Sequence, residues 1–325
     1  MIKIVDNSKK DFLILNLTDP QLKAEEWEEG NKTGTVFKKT AETLINRLSP
    51  GLITVSGDLS YAGDFVSYKN FADYFDAFGI PWTCCFGNHD NQDGDGPVKA
   101  VVDEYLKHKY FVFERCDQSL GNCNFAVLIE KNGKSAEGII VMDTHDRVPS
   151  ATDQCGKGLA WAGLTRGQLA WYADRIAELK GAGCGDTLLI THIPINAYLA
   201  AAKAAFKVDK PDKSITLADS YGAGIWNAGF KDSFGVYHEP ISAYPEDEGA
   251  FDLICKLGST KNIICGHNHV NNWVVKYGGV RFIFGTKTGI GSYFEPQING
   301  GTAIVVNQSG VCDVRHEYVD ISKFL

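Results

Sequence analysis

The segment Leu52-Ile53-Thr54-Val55-Ser56-Gly57-Asp58 contains the pattern that decides the fold, a short apolar run that ends in a glycine and an aspartate. The run has the length of a buried strand, and a metal-capable side chain follows it directly. Four more runs end in the same way, on a polar side chain that can bind a metal. They are LILNLT (13–18) before Asp19 and Gln21, WTCCFG (82–87) before Asn88, TLLIT (187–191) before His192, and NIICG (262–266) before His267 and His269.

The apolar runs alternate with amphipathic stretches, which is typical of an α/β fold. Helices are predicted at 35–48, 67–78, 98–107 and 165–179, the last with a capping box from Thr165 and Gln168. After residue 270, Gly-rich turns separate four strand-like runs, which indicates consecutive antiparallel strands. We expect one domain over residues 1–325, with a probable insertion at about 196–245 that carries loops near the site.

The polar residues at the strand ends predict a single site. In an open α/β sheet the carboxyl ends of the strands meet at one crevice, where ligands usually bind. Oxygen and nitrogen ligands without thiolate suit Mn²⁺, Fe, Zn²⁺ or Mg²⁺. The candidates outnumber the ligands of one ion, whereas two ions that share a carboxylate would use them all. Such ions lie about 3.5–4 Å apart and hold a phosphoryl group between them.

Composition narrows the class of protein. Hydrophobic residues make up 44% and charged residues 22%, as in ordinary globular enzymes. The net charge of −8 argues against nucleic-acid binding, which depends on Lys and Arg contacts to phosphates. The nine cysteines are scattered without a CxxC pair, which indicates reduced thiols. With neither a signal peptide nor a long apolar run, we expect a cytoplasmic protein that does not enter membranes. The oligomeric state stays open.

In their order along the chain, five blocks resemble those of the calcineurin-like metallophosphoesterase superfamily. The blocks are Asp19-x-Gln21, Gly57-Asp58, Gly87-Asn88-His89-Asp90, His192 and Gly266-His267-Asn268-His269. The resemblance implies a four-layer αββα sandwich of two mixed β-sheets flanked by helices, with the metal site at the C-terminal ends of strands. Within the superfamily, the block at 57–62 is similar to that of purple acid phosphatases. The stretches at 121–125, 192–194 and 227–230 resemble the Dcr-type relatives of that branch.

The resemblance also implies a role for each residue. Asp58 bridges two metal ions. One ion takes Asp19, His269 and Gln21, and the other takes Asn88, His192 and His267. His89 protonates or steers the leaving oxygen, and Asp90 orients its ring. The implied reaction is hydrolysis of a small phosphate mono- or diester by in-line attack of a metal-bound hydroxide.

Two positions depart from the common pattern of the superfamily. Most members have His where this chain has Gln21, and purple acid phosphatases usually have Gly there and use the tyrosine that corresponds to Tyr61. If Tyr61 binds as a phenolate, the site holds Fe³⁺ and the protein is coloured. If Gln21 binds through its carbonyl oxygen, the site favours Mn²⁺, Fe²⁺ or Mg²⁺. Gln21 is favoured, and both alternatives stay open at this stage.

Two other functions and four weaker candidate sites complete the interpretation. Some relatives are nucleases, and a scaffold could keep the fold without catalysis, although only Gln21 departs from the ligand pattern.

Residues 143–146 follow an apolar run and are candidates for a supporting role. His238, Trp226 and Lys287 are candidates for substrate contact.

Overall fold

The apolar runs form strands of mixed β-sheets, and amphipathic stretches form the helices that cover them. The computed structural model describes residues 1–92, 95–220, 224–246 and 248–325. In these ranges the strands are β1 (Ile2–Asp6), β2 (Phe12–Leu17), β3 (Leu52–Ser56), β4 (Trp82–Cys85), β5 (Phe125–Lys131), β6 (Lys134–Val141), β7 (Arg147–Pro149), β8 (Leu159–Trp161), β9 (Thr187–Ile190), β10 (Thr260–Cys265), β11 (Val274–Tyr277), β12 (Val280–Phe284), β13 (Gly300–Asn307) and β14 (Gly310–Tyr318).

Seven helices accompany the strands in the described residues, and side chains of Asn31, Asp64 and Thr165 cap the first, second and fourth of them. The helices are α1 (Lys32–Leu48), α2 (Phe65–Asp76), α3 (Asp95–Tyr105), α4 (Arg166–Gly181), α5 (Ala197–Ala205), α6 (Leu217–Ser220) and α7 (Ala250–Leu257). The predicted capping box of α4 is present, because Thr165 accepts from the Gln168 N–H and the Gln168 side chain accepts from the Thr165 N–H. Among the described residues, none of the helices has the length and apolar character that a membrane crossing requires.

The strands form two large sheets and one small one. The five-stranded sheet has the order β14-β13-β2-β3-β4, and β2, β3 and β4 are parallel. The seven-stranded sheet has the order β1-β5-β6-β9-β10-β12-β11, and β6, β9, β10 and β12 are parallel. Strands β7 and β8 pair by themselves. Each large sheet therefore carries a block of adjacent parallel strands whose carboxyl ends lie at one edge.

The layers follow from the alternation of side chains along each strand. In β10, Ile264 packs in a core that also contains Ile14 of β2 and Phe37 of α1. Its neighbour Ile263 packs in a second core, together with residues of α4, α5 and α7 such as Tyr198. One sheet is thus buried against the other on one face and against helices on the opposite face. The predicted αββα architecture is confirmed.

The structure differs from the sequence interpretation at the chain start and in the segment 196–245. Strand β1 was missed, since its alternating half-buried residues lie at a sheet edge and form no continuous apolar run. In the segment, α5 packs Tyr198 against Trp273 of the second core, so this part is a covering helix and not a loop. Alanine-rich composition, which favours helix, was the available signal. The definition of the segment as an insertion stays a prediction.

Glu137 of β6 lies at the end of the sandwich away from the carboxyl ends of β9 and β10. Its side chain is buried, one oxygen accepts from the Val311 N–H at 3.1 Å, and the other has no hydrogen-bond partner among the described residues. Burial raises the pKa of Glu137 to about 8, and the charge of Asp186 adds to this effect. The folded protein therefore holds a proton that the unfolded chain releases near pH 4.5.

A carboxyl group whose pKa is raised in the folded protein contributes to stability at low pH. This contribution is lost as the pH rises through the pKa that the group has in the folded protein. We expect Glu137→Gln, which keeps an acceptor for Val311, to match the parent protein at acid pH and to exceed its free energy of unfolding near pH 8. The difference should reach a few kcal/mol, since one pKa unit corresponds to about 1.4 kcal/mol. Denaturant unfolding across this pH range, with Glu130→Gln as control, measures it. Parallel pH curves for parent and variant would contradict the assignment.

Candidate metal centre

Five loops meet where the parallel strands of both sheets end. Strands β2, β3 and β4 lead into the loops that carry Asp19 with Gln21, Asp58, and Asn88. Strands β9 and β10 of the other sheet lead into those of His192 and of His267 with His269. These loops carry seven candidate ligands, of which five are His or Asp and two are the amides Gln21 and Asn88. All seven side chains are buried. The structure brings the whole predicted set together.

The backbone at the site is held in a conformation that side chains rarely adopt. Asp19, Gln21, Asp58 and His267 have φ values of 53°, 49°, 51° and 71°. Such left-handed non-glycine residues are costly and cluster at functional sites, where the surrounding structure imposes them. Here two loops impose them on each other, because the Asp19 N–H bonds to the Gly57 carbonyl and the Gln21 N–H to the Asp58 carbonyl.

Two motif glycines are required by close approach. A Cβ on Gly57 would lie 2.3 Å from Nδ1 of His192, and a Cβ on Gly87 would lie 2.2 Å from Oδ1 of Asp58. The Gly87 Cβ would also lie 2.4 Å from the main-chain nitrogen of Asp58, and the Gly57 Cβ 2.6 Å from Cγ of His192, so any larger residue would displace a candidate ligand. The Gly57-Asp58 and Gly87-Asn88 motifs thus have a steric reason as well as a chemical one.

The first half of the site lies between β2 and β10. Asp19, Asp58 and His269 each offer an atom within 4.8 Å of the others, a group that can hold a metal ion. His269 Nε2 lies 3.3 Å from Asp19 Oδ1, and the Gln21 amide donates to Asp58 Oδ2 at 3.1 Å. Asp58 therefore contacts this half through Oδ2.

The second half surrounds the other oxygen of Asp58. His192 Nε2 lies 3.3 Å from Asp58 Oδ1 and 3.0 Å from Asn88 Oδ1. The His267 ring packs edge-on against the His192 ring, with 5.1 Å between centroids. Asp58 Oδ1 also accepts from the His89 N–H at 2.9 Å. The carboxylate thus lies between the two halves, where a bridging ligand would be.

Two histidines are oriented by carbonyl groups behind them. His192 Nδ1 donates to the Ser56 carbonyl at 2.8 Å, and His269 Nδ1 donates to the Tyr293 carbonyl at 2.9 Å. With Nδ1 occupied, each ring presents Nε2 to the site. This is the usual support of a metal-binding imidazole, in which the remote nitrogen fixes the tautomer and the ring angle.

The atoms left without partners fit metal ions. Asp19 Oδ1, Gln21 Oε1 and His267 Nε2 are buried and have no hydrogen-bond partner in the described part of the chain. Native proteins rarely leave such groups unpaired, so several at one place indicate a missing ligand. Two oxygens and a nitrogen, without sulfur, suit Mn²⁺, Fe, Zn²⁺ or Mg²⁺. The residues present therefore fit the two-metal cofactor that the sequence predicts.

Charges within the site favour ionised carboxylates. Burial would raise the pKa of Asp19, but the His269 ring, whose Nε2 lies 3.3 Å from Oδ1, and the charges of His192 and Lys287 hold this pKa well below the usual range. Burial and the charge of His192 lower the pKa of His267 to about 3, which leaves that ring neutral. Burial opposes the charged form of His192, but Asp58 raises the pKa of His192 to about 10. Metal binding at His192 must therefore displace a proton.

His89 and Asp90 are placed differently from each other. The His89 ring lines the site, and its Nδ1 is buried without a hydrogen-bond partner among the described residues. Asp90 accepts from the Gly87 N–H at 2.7 Å, the Tyr68 hydroxyl at 2.6 Å, and the N–H groups of Leu59 and Ser60. These bonds join the loops after β3 and β4. None of these donors belongs to the His89 ring, and the expectation that Asp90 orients that ring stays a prediction.

Gln21 and Tyr61 occupy different positions. Gln21 lines the site, and its carbonyl oxygen is among the unpaired buried atoms. The half-buried Tyr61 ring packs edge-on against the His89 ring at 5.0 Å, with the Lys23 ammonium 5.7 Å from its centroid. Burial and the charge of Asp58 raise the pKa of Tyr61, which disfavours a phenolate without a metal.

The cavity at the site has a volume of about 150 Å³. Several of the residues that line it were not predicted from the sequence. Trp161, Ser242, Ser292 and Tyr293 line it beside the candidate ligands. The Trp161 ring lies edge-on to His267 at 4.4 Å, and the Tyr293 ring stacks on His269 at 4.1 Å. Ser242 comes from the segment 196–245 and Tyr293 from the loop after β12. No motif marks these residues, because loops distant in sequence bring them together.

Three weaker candidates for substrate contact are not at the cavity. Trp226 lies in the second core, where its indole N–H donates to the Ser220 carbonyl. Both ring nitrogens of His238 are engaged, by Glu295 and by the Ile215 carbonyl. The Lys287 ammonium donates to the Asp19 carbonyl at 2.6 Å. Apolar packing, the Glu295 carboxylate and main-chain acceptors engage these three side chains, and their contact with a substrate stays a prediction.

Of residues 143–146, Asp143 supports the site from behind. It accepts from the Asn91 side chain at 3.1 Å and from the Asn122 N–H at 2.7 Å. Because Asn91 follows the Asn88-His89-Asp90 motif, this carboxylate anchors the loop that carries His89.

Comparison with known protein families identifies the family of the chain. The profile of the calcineurin-like phosphoesterase family matches residues 13–271. The chain belongs to the calcineurin-like phosphoesterase family. It is therefore an enzyme of metal-dependent phosphoester hydrolysis, and the predicted family is confirmed. No curated protein sequence matches this phosphoesterase.

Several solved structures resemble this phosphoesterase in fold at low sequence identity. A dimetal phosphatase from Danio rerio is 11% identical with a TM-score of 0.55, covering 95% of this chain and 100% of that one. A purple acid phosphatase from yellow lupin (Lupinus luteus) seeds is 13% identical with a TM-score of 0.48, covering 98% of this chain and 55% of that one. YfkN, a calcineurin-like phosphoesterase from Bacillus subtilis, is 14% identical with a TM-score of 0.47, covering 96% and 91%. This phosphoesterase thus spans about half the length of the lupin enzyme.

Proposed function

We propose that this phosphoesterase hydrolyses a small phosphate mono- or diester at a two-metal centre. Buried nitrogen and oxygen donors from four strand ends line one cavity of about 150 Å³, and His192 from a fifth contacts Asp58 and Asn88 beside it. This convergence carries the proposal. A cavity of this size accepts a phosphoryl group, while the rest of the substrate extends past Trp161 and Tyr293. The acidic balance of the chain favours a small substrate over a nucleic acid.

The distances support a division of the ligands between two ions. Asp19, Gln21 and His269 would hold one ion, and Asn88, His192 and His267 would hold the other, with Asp58 shared. When bound, two such ions supply Lewis acidity toward water and the phosphoryl group. The Ser56 and Tyr293 carbonyl groups, which accept from Nδ1 of His192 and His269, orient the Nε2 atom of each ring toward the site before metal ions bind.

His89 is the proposed general acid. An in-line displacement leaves the departing oxygen on the side opposite the attacking hydroxide, where a proton donor must lie within reach. The His89 ring lines the cavity without belonging to the proposed ligand set, and its main chain is tied to Asp58. Tyr61 packs against this ring and limits its rotation. Asp90 and Asp143 hold the loop in place from behind.

Metal quantitation together with an absorption spectrum and a panel of mono- and diesters tests the proposed function. We expect roughly two ions per chain and hydrolysis of nitrophenyl phosphate. Less than about one ion per chain, with no turnover after Mn²⁺ or Fe is added, would instead indicate a scaffold. Degradation of single-stranded DNA at low salt without hydrolysis of small esters would indicate a nuclease.

Gln21 is the proposed ligand that completes the first half of the site. We expect Gln21→Ala to weaken metal binding about 10- to 100-fold, which is typical for loss of a neutral or supporting contact. The matched variant Tyr61→Phe removes only the phenol oxygen and should leave the metal content unchanged. We expect no visible absorption band in the parent protein or in Tyr61→Phe. A colour that disappears in Tyr61→Phe would reverse this assignment.

A further inference from the structure

Lys287 is a buried lysine beside the site that the proposed reaction does not use. It lies in the loop after β12 and is 2% exposed. Its ammonium donates to the main-chain carbonyl of Asp19 at 2.6 Å, behind a candidate ligand. Burying an ammonium is costly unless negative charge compensates for it, so its presence here requires a physical reason.

Three acidic residues supply the compensating charge at longer range. The carboxylates of Asp19, Asp58 and Glu239 are near enough to act on the charge of Lys287. Asp19 and Asp58 are themselves almost fully buried. The site without metals therefore holds two carboxylates in a low-dielectric interior. The His192 ring faces Asp58 Oδ1 at 3.3 Å, and Lys287 adds a second positive group, behind Asp19.

The loop around Lys287 is anchored on both sides. The Thr286 hydroxyl donates to the Ile298 carbonyl at 2.5 Å, and the Thr288 hydroxyl donates to the Gly300 carbonyl at 2.7 Å. The Thr288 N–H bonds to the Thr18 carbonyl, one residue before Asp19. These bonds hold the main chain of Lys287 beside the Thr18–Asp19 segment, within reach of the Asp19 carbonyl.

Asp19 requires this support because its conformation is strained. Its φ is 53°, and its Oδ2 is occupied by the Thr18 hydroxyl and the His267 N–H, which leaves Oδ1 for the site. The hydrogen bond from Lys287 holds the carbonyl of this strained residue from the opposite side.

We propose that Lys287 is an internal counter-cation of the metal-free site, which acts together with His192, fixes the Asp19 main chain and offsets the charge of Asp19 and Asp58 until metal ions bind. The inference rests on the proposed metal centre, though not on its hydrolytic activity. Lys287 and the bound ions have the same sign of charge and share the same carboxylates. The lysine therefore stabilises the metal-free protein and opposes metal binding.

The test measures thermal unfolding and Mn²⁺ affinity of four proteins, each with a chelator and with saturating Mn²⁺. Lys287→Gln keeps an N–H donor for Asp19 and removes the charge, and Lys287→Arg keeps the charge. We expect Lys287→Gln to lower the unfolding temperature mainly in chelator and to tighten Mn²⁺ binding roughly tenfold, since a unit charge at this range has an effect of that order. Lys287→Arg should resemble the parent protein in both measurements.

Lys131 supplies a matched control. It is equally buried, at 2% exposed, and its ammonium bonds to the Asp6 carboxylate and to the carbonyls of Ser8 and Lys10. It lies at the end of β5 that pairs with the start of β6, away from the metal centre. Lys131→Gln should lower the unfolding temperature equally with and without Mn²⁺, as a purely structural lysine would.

Three results would overturn the inference. Lys287→Gln could lose equal stability in both conditions, bind Mn²⁺ more weakly, or fail to fold even when Mn²⁺ is present, although the supplied cation should replace the lost charge. A variant that folds only with Mn²⁺ supports the inference. If the parent protein binds neither Mn²⁺ nor Fe²⁺, Zn²⁺ or Mg²⁺ in the same assay, the proposed function fails as well. If the parent binds Mn²⁺ and Lys287→Gln behaves as Lys131→Gln does, only the inference fails.

Discussion

Replacing Asp58 with Asn is expected to abolish both metal occupancy and hydrolysis. Oδ1 of Asp58 lies 3.3 Å from His192 Nε2, and Oδ2 accepts from Gln21 at 3.1 Å, so the two oxygens serve different halves of the site. Asn keeps one oxygen and loses the charge. Loss of charge stabilisation worth several kcal/mol corresponds to a fall in activity of about 10³-fold or more.

The measurement is metal content per chain after dialysis, together with kcat/KM on nitrophenyl phosphate. Asp143→Asn is the matched control, since Asp143 is also a buried aspartate near the site but bonds to Asn91 and Asn122. This control should keep its metal ions. An Asp58→Asn protein that retains both ions and turns over normally would show that the bridging role is wrong.

Replacing His89 with Ala is expected to keep the metal ions and to lose turnover. The His89 side chain lines the cavity, while only its main-chain N–H bonds to Asp58, and that bond survives the substitution. A general acid contributes typically 10²–10⁴-fold to the rate, and we expect a loss of about this size.

The leaving group provides the control for His89. Nitrophenolate is a stable anion that leaves without being protonated, whereas an alkoxide leaving group requires a proton. His89→Ala should therefore lose much less activity on nitrophenyl phosphate than on an alkyl phosphate. Tyr61→Phe, which keeps the ring that packs on His89, should show little of this dependence. Equal metal loss in the Asp58 and His89 variants, or equal rate loss on both esters, would contradict the proposed roles.

The sheets and the set of site residues could be predicted because their signals are local. An apolar run of strand length followed by Gly57-Asp58 contains both the element and its functional end within a few residues. The capping box at Thr165 is equally local, and it is present. Strand β1 and helix α5 escaped prediction, since their burial depends on neighbours that come much later in the chain.

The roles of the residues that support the site could not be predicted from their position next to a motif in the sequence. Asp90 follows His89 directly, yet its carboxylate turns to Gly87, Ser60 and Tyr68 because those donors surround it in the fold. Trp161 and Tyr293 lie far from the motifs in sequence and meet the site histidines only when β8 and the loop after β12 close over the strand ends.

By itself, the amino-acid sequence determined the layered α/β fold, the family and the seven donors at the strand ends, since each depends on residue type and short-range spacing. Only the tertiary structure decided how these donors are divided around Asp58, which atoms stay unpaired, and that Lys287 faces Asp19 from behind. The physical reason is that charge, burial and hydrogen-bond geometry arise between loops of two different sheets, and no single segment of the chain contains them.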